Sequence, residues 1–449
     1  MSRAITALAT GAMIALAACS DSKFDDASQI GPNPKLPEPK QYLVPPIHVA
    51  PGEGWSAGMM PTVAAGLQIK ALATGLLHPR MVYVLPNGDV LAVQAKSPPV
   101  QPIQRPKDPI VGLVKNKATS FPGSPKAASR ITLIREGATG GNTLQVTLLD
   151  HLNSPFGVVY ADGYLYVANT DAVMRYRFTP GQTAIADPGV RLTELPGGPI
   201  DHHWTKSLTI SPDGTKLYAT VGSNSNIVEN GFEAEKGRAA VWEIDRATGA
   251  AREFATGLRN PNSPNFYPGT NTLYVVVNER DELGPHLVPD YLTSVRDRAF
   301  YGWPYSYYGA HLDPRVRPQR PDLVARAVSP DYALGSHVAA LGLIFNTSTT
   351  LPAKYAGGAF IGEHGSWDRY NLAGYKIAFV PFRDGKPAGM AEDVVTGFID
   401  KAHDRTFGRP VGVAIDRAGA LLIADDVGST VWRVTGVGGA RAAATVASR

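Results

Sequence analysis

Three stretches of the chain concentrate side chains that a solvated turn does not need. Residues 201–226 read DHHWTKSLTISPDGTKLYATVGSNSN. They carry His202, His203, Trp204 and Lys206 at one end of a hairpin pattern and Ser223, Asn224, Ser225 and Asn226 at the other. An imidazole in such a loop can move a proton near neutral pH. GLRNPNSPN at 257–265 sets Arg259 beside Asn260, and the following proline fixes an extended exit. A guanidinium beside an amide can read a planar carboxylate or carbonyl bidentately, and the plainer alternative is an arginine spent on loop carbonyls. NERDELGPHLVPDYLT at 278–293 is rich in hard oxygen donors: Glu279, Asp281, Glu282 and Asp290, with the carbonyls of Gly284 and Pro285. Calcium takes about six to eight such oxygens, although the aspartate spacing here is not that of an EF-hand. A solvated acidic loop is the structural alternative. His337, Glu363, His364, Arg369 and Arg409 complete the candidates.

These residues are far apart in sequence, so the fold must gather them. The hairpin at 201–226 is a strand, a Ser-Pro-Asp-Gly turn and a second strand. The same pattern recurs at 78–94, 154–169, 262–278 and 409–435, and less regularly from Ala340 through GAFIGEHGSWDR to YKIAFVPF. The spacing of the copies, about 50 to 80 residues, implies elaborated loops. Helical periodicity is poor throughout. Six antiparallel units of this kind predict an all-β chain folded as a six-bladed β-propeller. A sandwich with added hairpins is the rival. The strand LQIKALA beginning at Leu67 would complete the last blade and tie the chain ends together. A propeller collects the loops of one face around its axis, which is the convergence the candidates require.

The chain of 449 residues holds 46 Gly and 37 Pro with only 18% charged residues, a composition of many short strands and tight turns. A formal net charge of +4 over this length argues against nucleic acid and against a polybasic membrane surface. The single cysteine, Cys19, excludes an internal disulfide and a CxxC metal site. It ends an apolar run, Ala4 to Ala18, that is too short to span a bilayer and has the layout of a secretory signal. Leu-Ala-Ala-Cys resembles a bacterial lipobox, whose cysteine is lipidated; ordinary cleavage nearby is the alternative. The expected organisation is a signal peptide over 1–18, a lipid-anchored Pro-rich linker over 19–65 that buries little, a propeller over 66–436 and a flexible tail over 437–449. The insertion at 96–129 reads as a long surface loop.

GLRNP, NERDELG with VPDYL, FYGWP, GEHGSWDR and GRPVGVA resemble, in consistent order, the soluble PQQ-dependent glucose/sorbosone dehydrogenase family. HHWTKSLTISPDGTKLYATVGSNSN resembles its sorbosone dehydrogenase branch, and the likeness runs from about Leu67 to Thr435. It implies pyrroloquinoline quinone (PQQ) and Ca²⁺ as cofactors and oxidation of an aldose or sugar aldehyde by hydride transfer to the quinone. The histidine nine positions before the proline of the SPDG turn, His203, would be the base. Arg259 and Asn260 would lie beside the quinone oxygens, and Asn224 near cofactor and substrate. Arg409 would hold cofactor carboxylates, and His364 or Arg369 would stand in for the family's cofactor-binding lysine. Gly284 and Pro285 would bind the calcium through their carbonyls, with Glu279 and Asp281 as further oxygen donors. Val411 stands where glucose-oxidising members carry a second arginine. The implied partners are a sugar, an electron acceptor such as a quinone or cytochrome, and a membrane reached through the anchor on the periplasmic side. Two other classes fit parts of the pattern: a calcium-dependent propeller hydrolase such as a lactonase, and a non-catalytic surface propeller that binds a partner.

Overall fold

The computed structural model describes residues 24–42, 46–95, 97–98, 128–137, 143–198 and 203–438. Strand after strand is short, β-branched or aromatic and closed by a tight turn, and the strands assemble into six antiparallel blades. Blade 1 is built from Pro79–Val84, Val90–Gln94, Arg130–Arg135 and Leu144–Leu149, and blade 2 from Gly157–Ala161, Tyr164–Ala168, Ala172–Arg177 and Val190–Glu194. Blade 3 holds Leu208–Ile210, Lys216–Val221, Ala240–Asp245 and Ala251–Thr256. Blade 4 holds Asn260–Phe266, Leu273–Asn278, Pro289–Val295 and Tyr332–Ser336. Blade 5 holds Ala340–Phe345, Ala359–Glu363, Lys376–Val380 and Glu392–Thr396. Blade 6 comprises Pro410–Ile415, Leu421–Asp425 and Thr430–Gly436, and Leu67–Ala73 supplies its outer strand by pairing antiparallel with Thr430–Gly436. The ring is therefore closed by both ends of the domain, as the strand at Leu67 predicts.

The first strand of each blade lines the axis, where neighbouring backbones crowd. A Cβ on Gly342 of blade 5 would run into the carbonyl oxygen of Val411 in blade 6, so the absence of a side chain permits that approach. Between blades the walls are apolar. Tyr218, Val241, Leu273, Val275, Val277 and Tyr291 form one such layer, and Phe360, Ile377, Phe379, Leu421, Ile423 and Trp432 another.

The expected Pro-rich linker does not stand off the domain. Over its described residues it straps the outside of blades 4, 5 and 6. Ile30–Gly31 adds a fifth strand to blade 4 beside Leu334 and Ala333, and Thr62–Val63 adds one to blade 5 beside Thr396 and Val395. Both additions cover sheet edges that would otherwise be open. Val49 and Ala50 are buried, and Trp55 packs on Phe398, Phe407 and Trp432 while its Nε1 donates to Asp425 Oδ2 at 2.7 Å. Isolated apolar residues among the prolines supply this burial, and extended proline backbone suits a strap as well as a spacer. Cys19, the apolar run before it, almost all of the 96–129 insertion and the tail beyond Gly438 lie outside the described residues. At the tail's start, Val437 N–H still donates to Gly66 O at 2.8 Å.

Candidate active site on the propeller axis

Residues from four blades and their loops meet around an axial cavity of about 300 Å³. Blade 1 contributes Arg80, and the loop entering blade 3 contributes His203. Arg259, Asn260, Asn278, Glu279, Asp281 and Asp290 come from blade 4 and its turns. His337 comes from the turn into the first strand of blade 5, and His364 and Trp367 from the turn after its second strand. His203, Arg259, Asn260 and His364 are thus brought together as the sequence predicts, and so are Glu279 and Asp281. His202 lies outside the described residues.

The His203 ring is oriented by Ser223. Its Nδ1 lies 2.9 Å from the Ser223 carbonyl oxygen and 3.0 Å from Ser223 Oγ. Ser223 Oγ itself donates to Ser225 O at 2.6 Å, so both Ser223 atoms act as acceptors toward the ring. Nδ1 therefore carries the proton, and Nε2 is the basic nitrogen. Gly222 makes room for this arrangement. A Cβ there would sit about 2.5 Å from His203 Cβ and would also strike Asn260 Oδ1. That Asn260 oxygen is buried and unpartnered among the described residues, while Nδ2 reaches Asn278 Oδ1 at 3.4 Å.

Arg259 is 2% exposed. Its Nη1 donates to Glu279 O at 2.6 Å and Asn278 O at 3.3 Å, and its Nη2 to Asp281 Oδ2 at 2.8 Å. Nε reaches Asn226 O at 3.4 Å. The guanidinium is fixed in place before any ligand arrives, and both readings of Arg259 hold: it braces loop carbonyls and it faces the cavity.

On the acidic side, burial pushes Glu279 and Asp290 each up to about 7. Asp290 accepts from the N–H groups of Glu279 at 2.8 Å and Ala339 at 2.7 Å, which ties blade 4 to the His337 turn. Asp281, His337 and Asp368 bring their ligand atoms within 4.8 Å of one another. Burial opposes a charged His337, yet Asp281 and Asp368 overcome it and lift the ring to about 9. The two acidic neighbours thus favour the protonated ring, while burial pushes Asp368 itself up to about 7. Gly284 O lies 3.1 Å from His337 Nε2, so that carbonyl belongs to the same cluster, while Pro285 is buried behind it. Glu279 lies outside the triad, and Asp368 stands in it.

His364 is neutral. Burial and the nearby Arg409 hold it down to about 4, and Nε2 lies 3.0 Å from Asp426. Asp426 also binds Arg80; burial raises its carboxyl, but the Arg80 guanidinium and the His364 hydrogen bond hold it well below its usual range. His364 is thus a donor locked onto a carboxylate.

Three predicted cofactor residues do not line the cavity. Arg409 spends Nε on His364 O at 2.8 Å and Nη2 on Gly365 O at 2.7 Å, with its guanidinium 5.0 Å over the Tyr375 ring. It clamps the turn that presents His364. Arg369 bonds Asp26 of the N-terminal strap and Ser336 O, and faces a different cavity. Asn224 takes Asn230 Nδ2 on its own Oδ1 at 2.6 Å. In each case other groups of the chain engage the side chain. Arg80, Trp367 and Asp368 are gains over the candidates read from sequence. Arg80 had a visible signal: LHPR before the first strand of blade 1 is placed like GLRN before blade 4 and FGRP before blade 6.

The TrAA12-like family profile matches residues 126–288 and 322–436, more than half of the chain. A curated protein of Borreliella burgdorferi, carried as uncharacterized, is 27% identical over 300 residues, spanning 64% of this chain and 77% of its own length. Among solved structures, the holo form of the pyranose dehydrogenase PQQ domain from Coprinopsis cinerea superposes with a TM-score of 0.66 at 17% identity, covering 86% of this chain and 100% of that one. A calcium structure of the Trichoderma reesei Carbohydrate-Active Enzymes Family AA12 protein gives 0.67 at 18% identity, with 87% and 99% covered. At these identities the likeness establishes the shared propeller fold.

Proposed function

We propose, for a chain that belongs to the TrAA12-like family, the PQQ- and calcium-dependent oxidation of an aldose or sugar aldehyde, sorbosone-like in class. The observation that carries it is the axial cavity, in which an imidazole with a basic Nε2, a preset guanidinium and an acidic cluster face one space. Bound PQQ supplies a two-electron acceptor for the hydride leaving the sugar carbon. His203 Nε2 takes the proton of the hydroxyl on that carbon, and Ser223 keeps the ring in the competent tautomer. Arg259 favours a planar, electron-rich carbonyl edge at its side of the cavity, and Asn260 lies beside it. The buried, unpartnered Asn260 Oδ1 marks a polar position that awaits a partner. Asp281, Asp368 and the Gly284 and Pro285 carbonyls are oxygen donors of the kind Ca²⁺ takes. His337 lies against the same oxygens, its Nδ1 3.4 Å from Asp281 Oδ1 and its Nε2 3.1 Å from Gly284 O. Arg80 and His364 bind each other through Asp426 and close the remaining wall.

The same reading places the chain on the periplasmic side of a bacterial membrane, held by lipid on Cys19 and passing electrons to a quinone or cytochrome. The anchor rests on the LAAC sequence alone. Reconstitution tests the function. Purified protein with PQQ and Ca²⁺ is expected to bleach an electron-accepting dye when given aldoses or sugar aldehydes, and to do nothing without PQQ. No optical change of PQQ on mixing, and no dye reduction with any sugar, would falsify the proposal. Hydrolysis of a sugar lactone by the Ca²⁺-loaded, PQQ-free chain would support instead a hydrolase using the Asp281–His337–Asp368 cluster.

A further inference from the structure

A second and larger cavity, about 780 Å³, lies behind the first, between the outer strands of blades 4 and 5 and the N-terminal strap. Three neighbouring pairs of residues divide between the two spaces. Ser336, Glu363 and Arg369 line the outer cavity, while His337 and His364 line the axial one and Asp368 joins the His337 cluster. At Glu363–His364 the cause is strand alternation, which sends successive side chains to opposite faces. The outer space is of the size that holds small organic ligands, roughly 300–1,000 Å³.

Its lining contains polar atoms without a partner among the described residues. Glu363 is 2% exposed and its Oε2 has no partner among the described residues. Arg369 is also 2% exposed, bonded to Asp26 and Ser336 O through its two terminal nitrogens, with Nε unpartnered. Lys401 stands at the mouth, where burial, Arg369 and Lys376 together lower its pKa. Positive charge is therefore crowded at one end, beyond what Asp26 on Arg369 and Asp393 on Lys376 neutralise. Burial pushes Glu363 up to about 8, so at neutral pH it is a hydrogen-bond donor rather than another anion. Apolar faces of Leu372 and Phe407 complete the walls, and Asp400, though engaged by Arg405, offers a carboxylate edge.

We propose that this outer cavity is a binding site for a small hydroxycarboxylate, separate from the axial site. The carboxylate would sit among Lys401, Arg369 Nε and the Glu363 acid, and its hydroxyls would donate to the Asp393 and Asp400 side. An anion there relieves the crowding of cations and meets two buried groups that nothing else among the described residues satisfies. The proposal does not depend on which reaction the axial cavity performs.

Calorimetric titration of the full chain, with PQQ and Ca²⁺ present, tests it using sodium D-gluconate as probe. Glucose, which has the hydroxyls without the charge, and acetate, which has the charge without the hydroxyls, are the comparators. Gluconate is expected to bind with one stoichiometric site and more tightly than either comparator. K401Q is expected to weaken it about tenfold, as one lost ionic contact does. E363Q keeps a donor and is expected to keep binding, whereas E363L removes it. H203A, confined to the axial cavity, is expected to leave the affinity unchanged. Absence of gluconate binding, equal affinity for glucose or acetate, or binding sensitive to H203A but not to K401Q would each overturn the proposal. The last outcome would assign the ligand to the axial cavity.

Discussion

At the scale of single residues, the site depends on one tautomer. Ser223 Oγ is committed to Ser225 O and accepts from His203, so the Nε2 lone pair is set before substrate binds. His203→Ala is expected to lower kcat by roughly 10²- to 10⁴-fold while leaving PQQ affinity nearly intact. Stopped-flow dye reduction and a PQQ absorbance titration separate the two effects. Full turnover in the cofactor-loaded variant removes His203 as the base. Ser223→Ala is expected to cost less, under about tenfold, because the Ser223 carbonyl still accepts from Nδ1. A loss as large as that of His203→Ala would mean that the hydroxyl, not the carbonyl, sets the ring. His203, Arg259 and Asn260 were legible because each stands in a loop next to a recognisable blade strand. Which residue of an adjacent pair faces the axis was not legible. Arg369 and Asp368 are neighbours in GEHGSWDR, and only the turn geometry sends one to the strap and the other to His337.

At the scale of elements, the blades are legible because strand alternation and turn residues repeat with the fold. The loops are harder to read, because their partners come from other blades. The turn at Gly222 shows the dependence. It closes the second strand of blade 3, and its hydrogen atom faces both the His203 backbone side and Asn260. Gly222→Ala is expected to displace one or both, costing about 1–3 kcal/mol of stability through overpacking. The same variant should lower kcat/KM more than its stability loss explains, since both displaced residues face the cavity. Unfolding and steady-state kinetics on one preparation check this, and unchanged kinetics would show that the cavity tolerates the shift. Gly342 is the contrasting case at the axis: alanine there meets the Val411 carbonyl, so disruption of blade packing is expected with no selective effect on chemistry. The linker was misread for an elemental reason. Proline content reports extended backbone, and extended backbone that carries Ile30 and Val63 at sheet edges pairs with them.

At the scale of the whole molecule, the propeller buries several carboxyl groups, at its axis and in the cavity behind it. Burial lifts Glu363 from an ordinary 4.5 to about 8. The sign of the linkage follows from which state binds the proton longer. Below about pH 4.5 Glu363 is protonated in both folded and unfolded chains, and its burial contributes its full share of stability. As pH rises, the unfolded chain loses that proton first, so each further step favours unfolding until the folded carboxyl ionises near pH 8. Glu363→Gln keeps the shape and a donor but cannot ionise. Wild type and variant are therefore expected to melt together at pH 5. By pH 8.5 the variant should melt several degrees higher, and the difference should stop growing there. Glu279 and Asp425 are common to both proteins and cancel in that difference, while Asp290, whose charge raises Glu363, contributes to it. Calorimetric scans of the metal-free proteins across this range measure it. A difference in melting temperature that stays constant from pH 5 to 8.5 would show that Glu363 is ionised throughout, and that the outer cavity holds a carboxylate where the proposed ligand needs an acid.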